Sequence, residues 1–310
     1  MNTIARAPKF GPLLTAMLTP FAADGSVDLE GAKCLARFLV DEGNTGLVVC
    51  GTTGESPALD DDEKLALFAA CKEAVGERAV IVAGTGGNNT RHSVELTKRA
   101  VDVGADAILA VVPYYNKPTQ DGMLLHFGAI AQASSLPVIV YNVPGRTAAN
   151  MLPVTLLELA RRYETIAGVK ESSGDLAQFS AILRDRPAGF AFWVGDDHLL
   201  LPSLALGGDG LISVAAHLCA REYRELHAAF FAGDVARAAS IHLALSPLVA
   251  ALFATTSPIP VKWAMRELGF AAGACRSPLG AMPEGLAAQM RPMLDAYRKR
   301  ARATLATTIP

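Results

Sequence analysis

Lys170 closes a short apolar run, Ile166-Ala-Gly-Val-Lys170, and Glu-Ser-Ser-Gly follows it. Desolvation disfavours the charged form of an amine, and an uncharged amine attacks a carbonyl to form a Schiff base. Alone, such a lysine reads more simply as a strand-end side chain that reaches solvent. The ends of the other apolar runs change that reading. They are Gly51-Thr52-Thr53-Gly54-Glu55-Ser56, Gly84-Thr85-Gly86, Pro113-Tyr114-Tyr115-Asn116, Tyr141-Asn142-Val143-Pro144-Gly145-Arg146, Gly195-Asp196-Asp197 and Ile212-Ser213.

Each group offers something a Schiff-base reaction needs. Lys170 is the candidate nucleophile. Thr52 and Thr53, with their backbone amides, suit a carboxylate. Tyr115 and Tyr141 can pass protons, because a phenol both donates and accepts. Arg146 offers a planar fork to a second carboxylate. The expected substrates are therefore a small 2-oxo acid and another anionic molecule. Plainer readings compete: a threonine pair is ordinary turn chemistry, and tyrosines at strand ends often only pack. The glycines at 84–88 and 207–210 have no P-loop spacing. Asp196-Asp197-His198 imitates a metal cluster, but adjacent residues rarely converge on one ion, so a turn and helix cap are expected there. His92, His126, His217, His227 and His242 are scattered, and their spacing points to no chemistry.

Positioning those groups is the task of the elements between them. The apolar runs at 13–18, 46–50, 80–83, 107–112, 138–141, 166–170, 190–195 and 210–214 mostly lack polar alternation, as strands buried on both faces do. Between them, 29–42, Asp61–Val75, 90–103 and 123–134 show helical spacing. Asp60 and Glu63 form a capping-box pair, with the acidic run at 60–63 complementing the helix dipole. Gly43, Gly76 and Gly104 stand where left-handed C-caps belong. Eight such units by about residue 230 predict a (β/α)8 TIM barrel, an α/β fold whose strand ends gather the polar groups on one face. An open doubly wound sheet is the competing architecture. Helices predicted at 236–253, 260–268 and 284–305 make a C-terminal helical domain over 234–310, after a barrel over 1–233.

The bulk numbers set the boundaries. Among 310 residues, 51% are apolar and 19% charged, ample for a core. A net charge of -2 argues against nucleic acid or an anionic membrane as the main partner. Cys34, Cys50, Cys71, Cys219 and Cys275 are odd in number, widely spaced and in no CxxC arrangement, which predicts thiols in a reducing, cytoplasmic setting and no structural zinc. Arg6 and Lys9 before an apolar stretch superficially resemble a signal peptide, but Pro12 and Pro20 interrupt it, and a first strand is expected. No uninterrupted apolar run is expected to span a bilayer.

Taken together, the motifs at 51–56, 83–86, 113–118, 141–146, 168–170, 195–197, 207–213 and 258–263 resemble the pyruvate-dependent Schiff-base lyases of the dihydrodipicolinate synthase / N-acetylneuraminate lyase family. The likeness runs over about 13–268. It implies a barrel with C-terminal helices, a homotetramer, no cofactor, and condensation of pyruvate with L-aspartate 4-semialdehyde to 4-hydroxy-tetrahydrodipicolinate, toward diaminopimelate and lysine. By that resemblance Lys170 forms the imine, Tyr141 assists as acid and base, and Thr52 and Tyr115 complete a proton relay. Tyr115 is implied to reach into a neighbouring subunit, Thr53 to hold the pyruvate carboxylate, Arg146 to bind the semialdehyde, and Gly195 and Ile212 to line the pocket. Arg146 separates this reading from the sugar-acid lyases, which generally lack it.

An allosteric cleft is implied around Ser56, Lys64, Asn88, His92 and Tyr114. Lysine-inhibited members carry histidine in place of Lys64 and glutamate in place of His92, so weak or absent lysine feedback is expected. Ser257, where asparagine is common, is expected to matter little. The alternatives are another pyruvate aldolase acting on a 2-oxo-3-deoxy sugar acid, N-acetylneuraminate or 4-hydroxy-2-oxoglutarate, a non-catalytic oxo-acid-binding barrel, and a metal-dependent aldolase.

Overall fold

A computed structural model describes residues 10–308. Arg6 and Lys9 lie outside the described residues. The strands are β1 (Leu13–Ala16), β2 (Gly46–Val49), β3 (Val80–Gly84), β4 (Ala107–Val111), β5 (Val138–Asn142), β6 (Ile166–Glu171), β7 (Ala191–Val194) and β8 (Gly210–Ser213). All pair in parallel, and β8 returns to β1 through Leu13↔Leu211, Leu14↔Ile212 and Thr15↔Ser213. The sheet is thus a closed barrel and the open-sheet alternative falls. Helices α1 (Leu29–Asp41), α2 (Asp61–Val75), α3 (Thr90–Asp102), α4 (Gln120–Gln132), α5 (Pro144–Thr147), α6 (Pro153–Arg162), α7 (Leu176–Asp185), α8 (Leu200–Ala205) and α9 (Ala216–Phe231) connect and surround the strands. After them come α10 (Val235–Leu252), α11 (Ile259–Glu267) and α12 (Glu284–Thr308).

Local chemistry explains the boundaries. The Asp60 side chain accepts from the Glu63 amide at 2.8 Å while Glu63 reaches back to the Asp60 amide at 3.1 Å, completing the capping box. Gly43, Gly76 and Gly104 have φ of 106°, 56° and 88°. Helix α4 begins three residues before its apolar pattern, because Thr119 caps it by accepting from the Gly122 amide.

Strand alternation sorts the side chains into two cores. Leu14, Ala16, Val48, Val82, Leu109, Ile139, Tyr141, Trp193 and Ile212 fill the barrel interior. Their neighbours, among them Leu13, Leu47, Ile81, Ile108, Val140, Val169 and Phe192, pack outward against the helices. Trp193 is wholly buried, stacks on Phe10 at 6.0 Å and donates from Nε1 to Gly11 O at 3.1 Å, so it closes the lower interior. The missing Cβ of Gly168 makes room for that ring: it would lie 2.8 Å from a Trp193 ring carbon.

Helix α10 is the most apolar of the long helices among the described residues. Its 18 residues, with mean hydropathy 1.6, are long and apolar enough to cross a bilayer. Ala238, Ile241, Leu245, Leu248, Val249 and Leu252 are instead buried in the protein's hydrophobic core, and α10 packs along α9. The helix matches the one predicted at 236–253, and Arg237, His242, Ser246 and Pro247 keep its apolar residues from forming an uninterrupted run.

Candidate active site

Lys170 and Tyr141 face each other across the β5–β6 ladder. Both point into the barrel and both are buried. Lys170 Nζ stands 4.2 Å from the centre of the Tyr141 ring, and among the described residues no carboxylate lies within ion-pair distance of it. The next residue on each strand must point the other way. Behind the pair, therefore, Asn142 Nδ2 donates to Glu171 Oε1 and Oε2 at 3.1 Å and to Asn150 Oδ1 at 2.8 Å. The Ser173 amide adds a bond to Glu171 Oε1 at 2.8 Å. Burial pushes the Glu171 carboxyl above its usual range, and these hydrogen bonds pull it back. Sequence analysis does not reveal this polar brace, although the strand period alone places Asn142 and Glu171 back to back with Tyr141 and Lys170.

Above Tyr141 opens a cavity of about 230 Å³, lined by Thr52, Tyr141 and Arg146 together with Ser56, Tyr114, Gly84 and Val143. Lys170 is not in its lining and touches the Tyr141 ring, which is. Thr53, buried in the same turn as Thr52, also stays out of the lining, as do Gly195 and Ile212. Gly195 instead packs on Lys170: a Cβ there would come within 2.8 Å of Lys170 Cε. Ile212 is a fully buried interior residue of β8. In the Thr52-Thr53 turn, the Gly54 amide donates to Gly51 O, that of Glu55 to Thr52 O and that of Ser56 to Gly51 O. The amides of Thr52 and Thr53 are not used in these bonds.

Arg146 reaches the mouth from α5, a four-residue helix too short to show in a periodic pattern. Pro144 sets its first turn and Ala148 ends it at φ 54°. The guanidinium is exposed and has no ion-pair partner among the described residues. Tyr115 goes elsewhere. It is 90% exposed, holds a left-handed φ of 73°, and does not join Thr52 and Tyr141 within this chain.

The acidic pair after β7 divides. Asp196 stays near the site, where burial pushes its carboxyl up and the positive charges of Lys170 and Arg146 oppose that rise. Asp197 was expected to cap the helix that follows it. It turns away instead, accepting from the Ser213 hydroxyl and from the amides of Val214 at 3.1 Å and Ala215 at 3.2 Å. It therefore holds the entry to α9, while His198 packs edge-on against Phe253.

At the implied allosteric cleft, Ser56 and Tyr114 line the main cavity. Lys64 and His92 converge on Asp61, at 3.9 Å and 2.9 Å. The sequence reading had given Asp61 only a helix-dipole role. Asn88 joins the neighbouring loop through its carbonyl, which accepts from Asn116 Nδ2 at 2.9 Å.

Residues 9–297 match the dihydrodipicolinate synthetase family. The chain is 53% identical over 271 residues to the 4-hydroxy-tetrahydrodipicolinate synthase of Moorella thermoacetica, covering 87% of this chain and 92% of the relative. The lysine-bound structure of the Cyanidioschyzon merolae enzyme superposes with a TM-score of 0.91 at 41% identity, covering 93% of this chain and 98% of that one. A chloride-inhibited dihydrodipicolinate synthase from Acinetobacter baumannii, complexed with pyruvate, gives 0.88 at 37% identity over 92% and 98%.

Proposed function

The chain belongs to the dihydrodipicolinate synthetase family, and on that premise we propose how its residues carry the reaction. The protein is a carbon–carbon lyase of the Schiff-base type that takes pyruvate as a substrate and forms 4-hydroxy-tetrahydrodipicolinate. Its second substrate is L-aspartate 4-semialdehyde. The observation that carries the assignment is the opposition of Lys170 and Tyr141 inside the barrel, with Tyr141 and Arg146 lining the cavity beside them.

The Lys170 amine adds to C2 of pyruvate, and the resulting carbinolamine loses water to give a protonated imine. That cation is the electron sink, so loss of a C3 proton yields an enamine and the chemistry calls for no metal or cofactor. The enamine carbon attacks the aldehyde of the semialdehyde, whose oxygen takes up a proton. The substrate amine then adds to the imine carbon, expels Lys170 and closes the ring. Tyr141 moves protons through its hydroxyl, relayed by Thr52, which lines the same cavity. The turn of Thr52 and Thr53 holds the pyruvate carboxylate with two amides that the turn itself leaves over.

Tyr115, so exposed in the single chain, completes the relay in a neighbouring subunit of a homotetramer. A cytoplasmic setting accords with the cysteine usage. Arg146 binds the semialdehyde carboxylate, a task suited to its exposed planar fork. Turnover with pyruvate and semialdehyde, compared with cleavage of 2-oxo-3-deoxy sugar acids and 4-hydroxy-2-oxoglutarate, tests the assignment. The first should exceed the others by orders of magnitude. Arg146→Ala should raise KM for the semialdehyde by about 10–100-fold and leave that for pyruvate in place. Preferred cleavage of a sugar acid would overturn the second substrate.

A further inference from the structure

Glu55 ends the Thr52-Thr53 turn in a left-handed conformation, φ 56° and ψ 37°, which strains any residue but glycine. Its buried carboxylate is used at both oxygens. Oε1 accepts from Lys262 Nζ at 2.6 Å and Oε2 from the Arg276 amide at 2.8 Å. Lys262 lies in α11 and Arg276 in the segment after it, so both belong to the chain beyond the barrel. Lys262 Nζ also sits 3.9 Å above the Phe21 ring, and the Arg276 guanidinium 4.4 Å from the same ring. That guanidinium pairs with Glu63 at 2.5 Å and donates to Ala58 O at 2.7 Å and Gly25 O at 2.8 Å.

Two charges taken out of water attract strongly but lose their hydration, and an apolar pair of similar volume often serves stability as well. Stability alone is therefore a poor reason for Glu55 and Lys262 to be there. Direction is a better one. The Glu55 amide donates to Thr52 O at 3.1 Å, and Thr19 Oγ1 donates to the carbonyl of the intervening Gly54 at 2.7 Å. Holding the Glu55 carboxylate therefore restrains the three residues before it, Thr52 and Gly54 through their carbonyls and Thr53 between them.

Resting on the reading of that turn as the pyruvate carboxylate site, we infer that Glu55 and Lys262 are positioning residues for pyruvate, through which the helices beyond the barrel set the turn's geometry. The pair touches no substrate.

The test uses the full-length enzyme with Glu55→Gln, Lys262→Met and the double substitution. Each single change leaves a buried partner unmatched and should lower Tm, whereas the double change removes both charges and should return Tm toward wild type. In Glu55→Gln and in the double variant, half-saturating pyruvate should rise by about tenfold, with kcat within about threefold and the semialdehyde KM within about twofold, because loss of uniform binding moves KM alone. The same rise should appear in the pyruvate dependence of borohydride trapping on Lys170, which reads imine formation without the second substrate. If Tm recovers in the double variant and pyruvate dependence recovers with it, or if neither variant shifts it, the pair is structural only and the inference fails. If the wild-type enzyme itself traps no pyruvate on Lys170, the underlying reading of the site fails instead.

Discussion

Tyr141 and Lys170 are partners in the β5–β6 register, and the amine of one lies 4.2 Å from the ring centre of the other. The geometry puts the phenol within reach of any group bonded to that nitrogen. Tyr141→Phe keeps the ring and removes only the hydroxyl, so the barrel should fold unchanged. Turnover should fall by about 10²–10⁴-fold, the range for losing a general acid–base group, with pyruvate still trapped slowly on Lys170. Steady-state kinetics beside borohydride trapping check this; wild-type kcat would remove Tyr141 from the proton path.

Gly195 constrains Lys170 from the opposite side. A methyl group there would sit 2.8 Å from Lys170 Cε and 3.2 Å from its Cγ, and closer still to Ser172 Oγ. Gly195→Ala should therefore displace the amine and lower kcat by about 10²-fold, the cost of roughly 1 Å of misplacement. An unchanged kcat would show that the lysine tolerates displacement.

Feedback by lysine is expected to be weak. Asp61 is shared by Lys64 at 3.9 Å and His92 at 2.9 Å, so a cationic amino acid meets a lysine and an occupied carboxylate. Initial rates measured against added lysine should show little inhibition, and half-maximal inhibition well below roughly 1 mM, a binding energy of about 4 kcal/mol, would contradict this account.

His217 predicts a pH dependence of stability. Its Nε2 accepts from the Leu18 amide at 3.1 Å and its Nδ1 donates to Val214 O at 2.8 Å, so the buried ring is neutral. Burial pulls its pKa from 6.5 down to about 4, and His126 behaves likewise. Between those values the unfolded chain binds more protons than the folded one, so this stability is complete above about pH 6.5 and is lost as the pH falls toward about 4. Denaturant midpoints should drop between about pH 7 and pH 5, and less steeply in His217→Gln. An identical slope in the variant would contradict the assignment.

The strands were legible because both of their faces are buried, which writes Val and Ile continuously into the sequence. Strand-end positions then brought Lys170, Tyr141, Thr52 and Arg146 to one face on paper. Register was harder to read: barrel order makes the strands of Tyr141 and Lys170 neighbours, but nothing in the sequence sets the two residues opposite each other. Helix α5 was invisible at four residues, and α4 hid its first polar turn. Asp197 misled because its partners, Ser213 to Ala215, come from the next strand end rather than the next helix. The Glu55–Lys262 contact spans 207 positions and leaves no local trace.

The central claim is covalent capture of pyruvate by Lys170. Incubation with pyruvate, borohydride reduction and mass spectrometry of the peptide containing Lys170 test it directly. A reduced pyruvyl adduct on that residue, absent in Lys170→Ala together with turnover, is the predicted result. An adduct elsewhere, or a Lys170→Ala variant with wild-type turnover, would contradict the account.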